Sequence, residues 1–143
     1  MKWNEVLKGS QDPVFFLPSS GVKKHALIKV PTGRKIDMGK LRTLIGVPVV
    51  QVTDMKTLPE RMRDQQILIV QIDDIGMSQE VLSVGRTLDS GMVLVNTTMG
   101  EMFYNSFAIL WVIYSQGTPS EELKKSCVEV EISEEEDIWE EKQ

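Results

Sequence analysis

One cysteine and one histidine are all this 143-residue chain has of the two most versatile chemical side chains. Cys127 alone permits no internal disulfide. His25 alone excludes a metal site built on several imidazoles, and leaves a single thiol–imidazole pairing for nucleophilic chemistry. The eight methionines form no metal-binding cluster, so neither a cofactor nor a metal is expected. Long apolar runs are missing as well. The longest, Phe107 to Ile113, falls far below the roughly 20 residues that span a bilayer. Charged residues at Lys2, Glu5 and Lys8, with no apolar stretch behind them, are unlike a secretory leader. A reducing, intracellular, cytoplasmic setting is the expectation. The Asn96-Thr97-Thr98 glycosylation triplet is therefore set aside.

Charge is abundant but divided. Residues 1 to 65 carry twelve Lys/Arg against six Asp/Glu, and residues 66 to 143 carry four against fifteen. Such a split points to a partner of opposite charge, or to a tail that folds back on its own domain.

Along the chain, residues 1–23 read as a loop-rich lead-in, residues 24–133 as one α+β domain, and residues 134–143 as an acidic mobile tail. Within the lead-in, the short apolar run Val14 to Leu17 reads as an edge segment. Lys24 to Val30 reads as a strand ended by Pro31, Thr32 and Gly33. Asp37 is expected to cap a helix with Met38, Leu41, Leu44 and Ile45 on one face, closed by Gly46. Val47 to Val52 follows as a strand held to an edge or first position by Pro48, then a short helix over Leu58 to Asp64. Ile67 to Ile72 has the near-continuous apolar content of a buried strand. Ser78 is placed to cap a helix over Gln79 to Asp89, with Gly85 allowing close approach to a sheet and Gly91 ending it. Met92 to Val95 and Phe107 to Tyr114 read as strands. Thr118, Pro119, Ser120 and Glu121 read as a capping box with proline at the first position of a helix over Glu121 to Ser126. Val128, Val130 and Ile132 alternate with Glu129, Glu131 and Ser133, the period of a strand with one wet face.

Strand, helix, strand, strand, helix, strand from Lys24 to Val95 is the order of a ferredoxin-like split βαβ core. That core is an antiparallel sheet with helices on one face, here with extra C-terminal strands and the acidic tail. The alternative is an α/β three-layer parallel sheet, in which Leu58 to Asp64 is a crossover helix. Its brevity and Pro59 favour the antiparallel version, since crossovers generally need about a dozen residues.

Candidate sites follow from charge more than from catalytic pattern. Asp73 and Asp74 end an apolar strand, which resembles the metal-binding acidic end of nucleotide-hydrolysing enzymes. The resemblance covers that strand alone, and no G-x-x-x-x-G-K-[ST] loop occurs to hold phosphates. In the parallel alternative Asp54, Asp73 and Asp74 share one sheet edge and suit a small Mg-dependent enzyme. The plainer reading of both aspartates is turn formation with Gly76. Cys127 reads as a buried inert thiol and His25 as exposed.

Lys23, Lys24, Lys29, Arg34, Lys35, Lys40 and Arg42 form a basic set matched to a polyanion, either nucleic-acid backbone or anionic membrane. The central strands lack aromatics, which disfavours base stacking, and a solvated basic face is the plain alternative. In the tail, Val128, Val130, Ile132, Ser133, Glu134, Glu135, Glu136, Asp137 and Trp139 are the expected partner-binding residues. The stretch VEVEISEEED resembles the acid-flanked strands that bind ubiquitin-like modifiers, although it alternates where those have adjacent apolar residues. Ser133 also reads as a target for an acid-directed kinase, and Trp139 as an anchor for a partner pocket. Solvating disorder and an intramolecular mask over the basic set are the other readings of the tail.

The expectation is thus a non-enzymatic protein-interaction or assembly module. Its class alternative is a self-associating peripheral scaffold, similar to viral matrix-type or accessory proteins, with the aromatic strand Phe107 to Tyr114 as an oligomer contact.

Overall fold

The computed structural model describes residues 3–11, 25–46, 48–63, 67–76, 92–105 and 108–141. In chain order the elements are α1 (Trp3–Gln11), β1 (His25–Lys29), α2 (Met38–Ile45), β2 (Val49–Gln51), a 3-10 turn (Met55–Thr57) running into α3 (Leu58–Met62), β3 (Ile67–Asp74), β4 (Met92–Thr97), β5 (Gly100–Asn105), β6 (Ile109–Gln116), α4 (Glu121–Ser126) and β7 (Cys127–Glu131). The expected Val14 to Leu17 segment and the expected helix over Gln79 to Asp89, with Ser78, Gly85 and Gly91, lie outside the described residues.

Five strands form one sheet in the order β2-β3-β6-β1-β7, and every pair in it is parallel. The antiparallel ferredoxin-like expectation is therefore wrong, and the parallel α/β alternative fits. What misled was weighing the helix instead of the connection. α3 is short, but it is only part of the connection between β2 and β3, and it is the whole connection that must be long enough. Pro59 does not obstruct it, because it lies in the first turn of α3, where a missing N–H leaves no bond unmade.

Near-continuous apolar strands are what a parallel sheet covered on both faces requires. Leu68, Val70, Leu110, Val112 and Tyr114 point to one side, where they meet α3 through Leu58 and Met62, α4 through Leu123, and the hairpin through Val93 and Val95. Ile67, Ile69, Trp111 and Ile113 point to the other, against Trp3 and Val6 of α1 and Leu41 and Ile45 of α2. Trp3 and Trp111 meet edge to face at 5.8 Å between ring centroids, the favourable arrangement for two ring quadrupoles. Pro48 stands just outside β2, an edge strand, as its missing donor demands.

Local signals are mostly obeyed. Asp37 caps α2, its Oδ1 accepting from the Gly39 and Lys40 amides at 2.9 and 3.1 Å. Gly46 closes the helix at φ 75°, and its N–H donates to the Arg42 carbonyl. In α4 the cap is Ser120, whose Oγ accepts from the Leu123 amide. Pro119 therefore precedes the cap and is not the first helical residue. β4 does not join the main sheet. It pairs with β5 in a separate antiparallel hairpin, an element that Gly100-Glu101-Met102-Phe103-Tyr104-Asn105 does not announce, since all its residues but Tyr104 are exposed and leave no alternating pattern.

Candidate functional site

The carboxyl ends of parallel strands are where open α/β sheets hold ligands, and here that edge is shared by the basic turn after β1 and the acidic C-terminal segment. Pro31 to Arg34 form a tight turn, with the Arg34 amide donating to the Pro31 carbonyl and Gly33 at φ 84°. A positive φ at the third turn residue needs glycine. The turn delivers Arg34 and Lys35 to the sheet edge, just before the cap of α2.

Residues 134–141 dock on that edge instead of trailing into solvent. Ile36 and Trp139 form an antiparallel bridge, with the Asp37 amide donating to the Ile138 carbonyl at 2.8 Å and the Glu140 amide to the Lys35 carbonyl at 2.7 Å. Ile138 and Trp139 are 1% and 5% exposed and belong to the core beneath α1 and α2. The indole N–H donates to the Glu134 carbonyl at 3.2 Å, and the Arg34 guanidinium lies over the ring, 5.3 Å from its centroid. Trp139 is thus spent on its own domain, which corrects its reading as a free anchor and that of the tail as mobile.

The remaining residues expected to bind a partner divide by side. Val130 and Ile132 are buried and Val128 packs against them, so the apolar side of this strand is used within the chain. The Ile132 amide donates to the Lys29 carbonyl at 3.0 Å. Glu129, Glu131, Ser133, Glu134, Glu135 and Asp137 are exposed, while Glu136 is half-buried. The Ser133 hydroxyl accepts from the Glu135 amide at 3.2 Å, which shapes the turn that brings Glu134 and Glu135 to the surface.

Of the basic set, Lys29, Lys35, Lys40 and Arg42 are exposed and Arg34 is half-buried; Lys23 and Lys24 lie outside the described residues. Lys40 Nζ meets Asp137 at 3.3 Å with both side chains well exposed. A pair so exposed contributes about 0–1 kcal/mol, so the hydrogen bonds and the buried Trp139, not this ion pair, hold the segment down.

Asp54, Asp73 and Asp74 do stand at one edge, but they do different work. Asp54 Oδ1 accepts from the Lys56 amide, and Asp74 Oδ1 from the Gly76 amide at 2.9 Å, so both serve turns. Asp73 lines a cleft of about 320 Å³ with Val30, Arg34, Lys35, Gln71 and Ser115. Among the described residues no three His, Cys, Asp or Glu side chains are arranged to hold a metal ion.

His25 is buried, not exposed. Its Nδ1 accepts from the Leu110 amide at 3.0 Å, an attachment that periodicity cannot reveal. His25 is also the register partner of Cys127 across β1 and β7, but both are buried, with that Nδ1 committed to backbone. β6 runs between β3 and β1 with Leu110 to Tyr114 buried, so those residues offer no surface for self-association. Exposed apolar side chains occur instead on the hairpin, at Met99 and Phe103. Among the described residues no helix is long and apolar enough to cross a membrane.

No known protein family matches this chain, and no curated protein is similar to it in sequence.

Tyr114, beside this edge, has its pKa raised by burial first and then by the nearby carboxylates of Glu129 and Glu131. A phenol held neutral in the folded state contributes stability that is present below its ordinary pKa near 10 and is lost as pH rises through the raised value. Replacing Glu129 and Glu131 by Gln should lower the Tyr114 pKa, followed by phenolate absorbance, and Tyr114→Phe should remove this alkaline loss of stability. Trp139→Ala should destabilise the domain by about 3–5 kcal/mol in denaturant unfolding, the cost of emptying a buried indole site. A free tail would give no change.

Proposed function

We propose that the protein is a non-enzymatic binding or assembly module that presents a held acidic ridge to a basic protein surface. One observation carries this reading: Ile138 and Trp139 are buried while their neighbours Glu134, Glu135, Asp137, Glu140 and Glu141 are exposed. An acidic run tethered at its apolar pair is ordered before any partner arrives, so association loses less conformational entropy than with a free tail. Glu129 and Glu131, exposed on edge strand β7, extend the same sign of charge. Complementary charge of this kind speeds encounter and selects partners more than it adds affinity.

A further support comes from the N-terminus of α2. In phosphate-binding α/β proteins the helix after the first strand offers its free amides to the ligand. Here the carboxylate of Asp37 takes the Gly39 and Lys40 amides, an internal anion where a nucleotide phosphate would otherwise be held.

Because Ile138 and Trp139 belong to the core, removal of the whole segment would confuse binding with folding. The informative variant is Glu134→Gln, Glu135→Gln, Asp137→Asn and Glu141→Gln together. Its unfolding midpoint should stay close to that of the parent, as for other exposed sites. Affinity capture with cross-linking should lose partners held by the parent at low salt. Capture that is unchanged by neutralisation and insensitive to salt excludes the ridge.

A further inference from the structure

The cleft at the carboxyl edge borders the acidic segment, whose Glu140 lines it, but the rest of its lining points to a small molecule instead of a protein surface. Arg34 reaches into it with the guanidinium laid over Trp139. Its Nε–H is buried and has no hydrogen-bond partner among the described residues. Buried donors in folded proteins nearly always have an acceptor, and one left without calls for explanation. Arginine's planar fork suits phosphate and carboxylate oxygens, and the cation–π contact with Trp139 holds the guanidinium beside the cleft. Lys35 adds a second cation on the same wall.

Across the cleft stand Asp73, Gln71 and Gln51, with Ser115 beside them. The Ser115 hydroxyl donates to the Asp73 carbonyl at 3.2 Å, which leaves its lone pairs for a donor from a ligand. Asp73 offers carboxylate oxygens, and the two glutamines offer both donors and acceptors. The two cations are thus matched to an anion, and the carboxylates of Asp73 and Glu140, with the glutamines, to hydroxyl or amine groups. A volume of about 320 Å³ is that of a pocket for a small molecule, at the lower end of the usual range of about 300–1,000 Å³.

From this geometry we infer that the cleft is a binding site for a small polyhydroxylated or amino-bearing molecule with one anionic head group. The Arg34 guanidinium and the Lys35 ammonium hold the head group, and Asp73 and Gln71 receive the hydroxyl or amine donors. Phosphate and carboxylate heads share this chemistry.

The test follows the Arg34 Nε–H resonance by heteronuclear NMR during titration with a pentose phosphate, its unphosphorylated pentose, inorganic phosphate and a hydroxycarboxylate. The expected result is a saturable shift with the pentose phosphate, and no shift with the bare pentose. Arg34→Gln should weaken binding by about tenfold or more, a loss of one charge-assisted contact. Asp73→Asn changes an exposed side chain, and it should weaken the pentose phosphate while leaving inorganic phosphate unaffected. A shift with the hydroxycarboxylate alone would support the site and assign the head group as a carboxylate. An Arg34 Nε–H that no anion moves at millimolar concentration overturns the inference. So does binding that survives Arg34→Gln undiminished in a variant with a parental spectrum; if that variant does not fold, the parent titration and Asp73→Asn still decide.

Discussion

Both faces of the parallel sheet must be covered, and most of what is unusual in this chain follows from how it meets that demand. A sheet of Ile, Leu and Val with helices on one side only would leave a wet apolar face. One face is closed by α3, α4 and the hairpin. The other receives α1 and α2, and is completed by Ile132, Ile138 and Trp139 from the C-terminal segment. A stretch with the composition of a solvated tail is thereby part of the core.

Folding the segment back also rearranges the electrostatics. In sequence the basic and acidic residues are at opposite ends. In space Lys35 and Glu140 are neighbours through a backbone hydrogen bond, and Lys40 faces Asp137. The two poles therefore meet at one sheet edge, and part of the basic set is neutralised locally while the carboxylates beyond the bridge face outward. Screening over about 8 Å at physiological salt keeps this local pairing distinct from any long-range attraction between the halves.

Local structure was legible wherever a single turn of chain decides it. The Asp37 cap, the Gly46 terminus and the strand over Ile67 to Ile72 are examples, each set by steric or hydrogen-bonding preferences of adjacent residues. Sheet direction was not, because it depends on where a connection lands, and α3 by its length argued the wrong way. A signal was nevertheless present, since continuous apolar runs such as Ile67 to Ile72 favour strands covered on both faces. The docking of Trp139 was hidden by averaging composition over the acidic run. The adjacent pair Ile138-Trp139, alone among carboxylates, was the residue-level clue. The cleft could not be read at all, because Arg34, Gln71, Asp73 and Ser115 meet only through the strand order. His25 was misplaced for the same reason: its partner, the Leu110 amide, is distant in sequence.

The central claim is that the C-terminal segment is a fixed part of the domain, stitched to the turn before α2. Amide hydrogen exchange resolved at Glu140 and Asp37 tests it most directly, since these amides donate to the Lys35 and Ile138 carbonyls. Protection of both amides, lost together in Trp139→Ala, is the predicted result. Exchange of the Glu140 amide at the rate of an unstructured peptide in the parent protein would contradict it.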